Sequence, residues 1–216
     1  MSVKREIAAL KRERVLEAAA ELFSERGYYN TTLDDVAARL GVTKPFIYGV
    51  FRSKADLLTA SFLRVVDLCL GAAEEALQAN GPAGERLRAL IERIVRISAE
   101  NLPFNAIFLR EEKSLEASAL QEVRVKEDRF HACLRRLLEQ GAAAGEFEIR
   151  DVRVAALAIG GMIGWLYGGR SNIAPDETGA VIDAVADLVI RMVGGDAAAL
   201  AAPPEAPAGK RRRRAG

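Results

Sequence analysis

An all-α fold of about nine helices is predicted by three observations. Apolar residues recur at spacings of three and four in nearly every segment, alternating strand-like patterns are almost absent, and Ala, Leu, Glu and Arg, which lose little on entering a helix, dominate. With 216 residues, half of them hydrophobic, the chain can bury a substantial core. No run approaches the roughly 20 apolar residues of a membrane span, and the first residues, MSVKREIAALKRER, are charged where a signal peptide is apolar. No membrane partner is expected, and the cytoplasm is the expected compartment.

The first helix carries an apolar stripe of Val15, Ala18, Ala19, Leu22 and Phe23 and stops at Gly27, a residue suited to a left-handed cap. Tyr28-Tyr29-Asn30-Thr31 connects it to a short second helix. Thr32 is its expected N-cap, Asp35 stands at the capping-box position, and Gly41 ends it. Thr43 offers a further N-cap, and Pro45 fits the first turn of a third helix running to about Phe51. A long fourth helix begins near Ser53 or Lys54 and breaks at Asn80-Gly81-Pro82. Further helices are expected at 83–101, 104–112, 117–144, 151–168 and 175–193. Residues 196–216, rich in Ala and Pro and ending in a basic run, are expected to be a disordered tail. The domain reading is therefore 1–54, 55–195 and a tail at 196–216.

The net charge of +1 hides an asymmetry. Residues 1–54 hold 10 Lys or Arg against 7 Asp or Glu, residues 55–209 hold 16 against 23, and residues 210–214 are all basic. Basic ends on an acidic body fit a polyanion partner, although a solvated surface explains the same counts. Cys69 and Cys133 lie in helical patterns without CxxC spacing, so both read as small core residues rather than a disulfide or a zinc site.

Two short helices joined at Leu40-Gly41-Val42-Thr43 have the spacing of a helix-turn-helix, whose second helix presents its leading end to the major groove. Over about 50 residues the order of Thr31-Thr32, Asp35-Val36-Ala37, Gly41-Val42-Thr43-Lys44, Ile47-Tyr48, Phe51, Ser53-Lys54 and Leu57-Leu58 resembles the N-terminal signature of the TetR family. The resemblance implies a three-helix DNA-binding domain, a helical body for ligand binding and dimerisation, and a repressor function at a double-stranded, palindromic operator. Thr43 then fits a phosphate contact, Lys44 reaches base edges, and Pro45 and Phe46 add apolar contact. Tyr48, Thr32 and Lys54 would meet the phosphate backbone. Arg5, Lys11 and Arg12 would reach flanking DNA. Ile47 and Phe51 read as core, and Tyr28 and Tyr29 as packing residues. Gly49 and Val50 depart from the family pattern, in which an aromatic residue and a histidine are common, and this bears on operator preference.

The last two helices are apolar over more than one face, including Ala158, Gly160 and Trp165 on one and Leu188 and Met192 on the other. A homodimer through these helices is expected. Phe108-Leu109-Arg110-Glu111, Glu139-Gln140-Gly141, Gly145-Glu146-Phe147 and Gly161-Met162-Ile163-Gly164-Trp165 resemble the subgroup that responds to acyl-CoA thioesters. That resemblance implies an apolar pocket lined by some of Phe104, Phe108, Phe130, Leu134, Met162 and Trp165, with Arg110, Arg129 or Arg170 near its mouth for a diphosphate. A cationic drug or other hydrophobic metabolite is the alternative effector. No resident cofactor and no enzyme activity are expected. A helical-bundle metal enzyme is the remote alternative, since Asp128 and His131 have ligand spacing, but the chain holds one histidine and a second pair is missing.

Overall fold

Helices and their connectors make up the described residues, 3–166 and 177–195, of a computed structural model, with no strand among them. In order they are α1 (Val3–Arg26), α2 (Leu33–Leu40), α3 (Lys44–Tyr48), α4 (Lys54–Gln78), α5 (Ala83–Glu100), α6 (Leu102–Glu111), α7 (Ala117–Ala143), α8 (Val152–Leu166) and α9 (Thr178–Met192), with a 3₁₀ turn at Glu112–Ser114. The expected tail at 196–216 lies outside the described residues.

Local chemistry accounts for most boundaries. Thr32 and Asp35 form a reciprocal capping box at the start of α2: the Thr32 amide donates to Asp35 Oδ2 at 2.7 Å, and the Asp35 amide donates to Thr32 Oγ1 at 3.1 Å. Gly41 ends α2 in the left-handed region at φ 65°. The Ser53 hydroxyl accepts from the Asp56 amide at the head of α4, and the Asp151 carboxylate accepts from the amides of Arg153 and Val154 at the head of α8. Glu146, from the loop after α7, plays the same part for α5 across the chain, taking the amides of Ala83 and Gly84 at 3.0 and 2.8 Å.

Three boundaries differ from expectation. Helix α9 begins at Thr178 rather than at 175. Helix α3 ends at Tyr48 with Gly49 as its C-cap, short of Phe51. Gly49 therefore lies past the helix interior, where glycine would have cost about 1 kcal/mol. Helix α6 begins at Leu102, because Pro103 sits in the first turn, where a missing amide proton costs nothing.

Two apolar cores are built on this frame. The first joins α1, α2, α3 and the front of α4, through Val15, Leu22, Phe23, Val36, Ile47, Phe51, Leu57 and Phe62, and reaches Phe104 and Ile107 of α6. The second holds α5, α7, α8 and α9 around the back of α4, with Leu87, Ile91, Leu134, Leu138, Ile159 and Val189 at its centre. Val65 of α4 packs against both. The expected division at residue 54 thus falls at the head of a helix whose first turns pack with the N-terminal core.

Candidate nucleic-acid interface and ligand cavity

Ile47 and Phe51, 0% and 1% exposed, anchor α3 to the first core. Burial of that side turns Thr43, Lys44, Pro45 and Tyr48 outward, with Tyr48 51% exposed. The Thr43 hydroxyl makes no capping bond to its own helix. Phe46 is half-buried, and the ammonium of Lys11 stands 5.3 Å from its ring centroid. The ammonium of Lys44 pairs with Asp34 Oδ2 of α2 at 2.8 Å, which holds its pKa above the ordinary lysine value. A solvated pair of this kind is easily exchanged for a phosphate.

Two expected phosphate contacts are otherwise engaged. The Lys54 ammonium donates to the carbonyls of Tyr28 and Thr31 at 2.9 and 3.0 Å and lies 4.1 Å from the Tyr28 ring centroid. Those carbonyls follow the C-terminus of α1, where a cation is favoured. Lys54 is therefore a clasp between α4 and the α1–α2 connector. The Thr32 hydroxyl donates to Asp35 Oδ2 at 2.6 Å within the capping box. Arg12 reaches back to the domain itself, donating to the Val50 carbonyl and covering the Phe51 ring at 4.2 Å.

In the body, a half-open cavity of about 260 Å³ lies between α4, α5, α6, α7 and α8. Its walls are Val65, Val66 and Cys69 of α4, Ile94 and Ser98 of α5, Asn105 and Phe108 of α6, Glu127, Phe130 and His131 of α7, and Gly160, Ile163 and Gly164 of α8. Of the expected lining, Phe108 and Phe130 are on this wall. Phe104 and Leu134 are instead packed in the first and second cores, 6% and 0% exposed. Each lies about one helical turn from a lining residue, and that turn puts it against another helix. Met162 packs on the second core, and Arg110 lies exposed at α1, donating to the Ser24 carbonyl. Arg129 is held by Glu74. The side chain of Trp165 and all of Arg170 lie outside the described residues.

The polar part of the wall lies beyond the expected lining. Burial pushes the Glu127 carboxyl upward, and the nearby Glu112 and Asp128 carboxylates add to this. Burial pushes His131 down, toward the neutral imidazole, the Asp128 carboxylate opposes this, and Arg135 adds to the lowering. The Cys69 thiol is raised by burial to about 12 and stays protonated. The i, i+4 spacing of Glu127 and His131 on one long helix is readable, but the sequence does not tell which side of α7 meets a void. Among the described residues no group of three or more His, Cys, Asp or Glu side chains is placed to hold a metal ion.

Helix α6 links the two regions. Asn105 and Phe108 face the cavity. One turn later, Glu111 Oε1 accepts from the Tyr28 amide at 3.1 Å, and its other oxygen accepts from the Ser114 hydroxyl. The Tyr28 connector that Glu111 grips is the one clasped by Lys54.

Residues 15–60 match the family model described as bacterial regulatory proteins of the tetR family, and residues 80–193 match the tetracyclin repressor-like C-terminal domain. The chain is 39% identical over 82 residues to the HTH-type transcriptional activator FasR of Mycolicibacterium smegmatis, a segment spanning 38% of this chain and 37% of FasR. The crystal structure of the TetR family regulator PfmR from Thermus thermophilus superposes with a TM-score of 0.74 at 33% identity, covering 82% of this chain and 97% of PfmR. AibR, in complex with isovaleryl coenzyme A and operator DNA, shares the fold at 22% identity with a TM-score of 0.70, covering 86% of this chain and all of AibR (100%).

Proposed function

This chain belongs to the TetR family of bacterial regulators, as a ligand-responsive DNA-binding transcriptional regulator, and from that premise we propose that it is a repressor released from a palindromic operator by an acyl-CoA-like effector. The observation carrying this reading is a continuous path. A cavity wall on α6 continues into the helix's grip on the connector that leads to the DNA-facing helices. Thr43, Lys44, Pro45, Phe46 and Tyr48 would meet the duplex, with Thr43 and Tyr48 on phosphates and Lys44 on base edges after leaving Asp34.

One α3 reads only a few base pairs, so two copies are needed for a useful site. Exposed apolar side chains on both helices support pairing: Val154 and Leu157 of α8 are 57% and 61% exposed, and Leu188 and Met192 of α9 are 54% and 43% exposed. The acyl group would occupy the cavity beside Phe108 and Phe130. At about 260 Å³ the space is at the small end for a ligand site, so the nucleotide part would lie outside it. The shared fold with AibR, which holds isovaleryl coenzyme A and operator DNA, supports that choice. A ligand that wedges α6 away from α4 loosens the Glu111 grip and changes the spacing of the recognition helices. Effector and operator then weaken each other reciprocally.

The test is to select a duplex from a randomised pool and titrate the complex with acyl-CoA thioesters. The expected result is an inverted-repeat site bound by two chains and released by thioesters. A site that no thioester releases would remove the effector assignment and leave the DNA-binding function standing.

A further inference from the structure

The cavity's polar side chains come from three helices. Glu127 and His131 sit one turn apart on α7, and Asn105 and Ser98 contribute from α6 and α5, where the Asn105 amide donates to the Ser98 carbonyl at 2.8 Å. The remaining walls are aliphatic or aromatic, apart from the Cys69 thiol. His131 Nδ1 is fully buried and has no hydrogen-bond partner. That nitrogen is closed off beside Gly160, so the ring nitrogen an occupant can reach is Nε2, which is accessible and makes no hydrogen bond. The ring is held firmly. It packs edge-on to Phe130 with centroids 5.4 Å apart, and it lies so close to α8 that a Cβ at Gly160 would come within 2.9 Å of its Cε1. Glycine at 160 is what lets the imidazole stand at this wall.

The charge on that wall is equally specific. The ionisable side chains of the described lining are Glu127, His131 and the Cys69 thiol, and none of them is a fixed cation. A carboxylate buried here would lose its hydration without gaining a permanent countercharge, and it would face Glu127 as well. A neutral oxygen suffers neither penalty.

Building on the acyl-effector reading, we propose that Glu127 and His131 make the cavity selective for an uncharged acyl ester, accepting a thioester carbonyl at His131 and excluding the corresponding free carboxylate through Glu127. The apolar chain lies among Val65, Val66, Ile94, Phe108 and Ile163. The ester carbonyl accepts a hydrogen bond from the imidazole. The regulator thereby reads whether an acid has been activated, not merely whether it is present, and the distinction is made inside the cavity without any contact to the nucleotide.

The test uses the full-length protein and three matched series: acyl N-acetylcysteamine thioesters, which lack the nucleotide, the free fatty acids, and primary amines of the same chain length. Binding is read by thermal shift and calorimetry. The wild type is expected to bind thioesters at least about tenfold more tightly than acids. Glu127→Gln should admit the acids, narrowing that ratio by about tenfold. His131→Phe should weaken thioesters by about tenfold while His131→Gln, which can still donate, restores part of the loss. Unliganded melting curves of the variants establish that they fold. Equal binding of acids and thioesters by the wild type, or an unchanged ratio in Glu127→Gln, would overturn the inference while leaving the acyl-effector reading intact. Preferential binding of amines would overturn it in favour of a cationic ligand. Binding of none of the three series by folded protein would overturn this inference, and the acyl reading falls with it only if acyl-CoA thioesters also fail to release the duplex.

Discussion

The residue that most changes the reading of the helix-turn-helix surface is Lys54. Its place at the head of α4, beside the helix-turn-helix, suggests a phosphate contact, yet its ammonium holds two connector carbonyls and the face of Tyr28. The two roles separate experimentally. Lys54→Met should cost about 1–2 kcal/mol in thermal or denaturant unfolding, because charge-assisted bonds to carbonyls are lost from a half-buried site. It should also weaken DNA binding through disorder of the connector, without changing the salt dependence. A phosphate contact would instead lower the slope of affinity against salt by about one and leave the melt unmoved. Asp34 carries a related lesson: it holds Lys44 at 2.8 Å, a pairing ten residues apart that no helical period signals.

At the scale of elements, caps and stops are legible wherever a single residue enforces them. Thr32 with Asp35, Gly41, Pro45 and the Asn80-Gly81-Pro82 break each act through their own backbone, so α2, the start of α3 and the end of α4 can be read directly. The end of α3 and the start of α6 escape such a reading because Gly49 and Pro103 each fit two positions relative to a helix terminus. Cavity walls belong to a different class of problem. Phe104 and Phe108 lie on one face of α6, one turn apart, and only the packing of the neighbouring helices decides that the first is core and the second borders a void. The same helix supplies the coupling. Glu111→Ala removes the acceptor for the Tyr28 amide while touching neither ligand nor DNA. It should leave each binding event within about twofold and reduce the effector's weakening of DNA binding from a typical value of roughly 5- to 150-fold to near unity. Anisotropy titrations with and without effector would measure that ratio, and an unchanged ratio would exclude α6 as the path.

For the whole molecule, the design is two cores sharing one long helix. Helix α4 contributes Leu57, Leu58 and Phe62 to the first core, and Leu70, Ala72 and Ala73 are buried further along it, with Val65 touching both. A rigid rod common to two packed bodies transmits displacement better than a flexible linker, because close-packed interiors shift as units. The sequence announces the all-helical class through its periodicity and the short helix α3 through its local caps, while a DNA-facing role for α3 comes from the family resemblance. It does not locate the polar side chains of the cavity wall, which meet a void only once α5, α6 and α7 are brought together.

The central claim, that α3 presents Lys44 and Tyr48 to duplex DNA, is tested most directly by comparing wild type with Lys44→Ala/Tyr48→Ala on a selected duplex, by anisotropy at low ionic strength. The double variant should melt like the wild type and keep its effector affinity, since both side chains are exposed, while specific binding falls to the level of random duplex. Unchanged specific binding by the double variant, or failure of the wild type to bind any duplex, would contradict it.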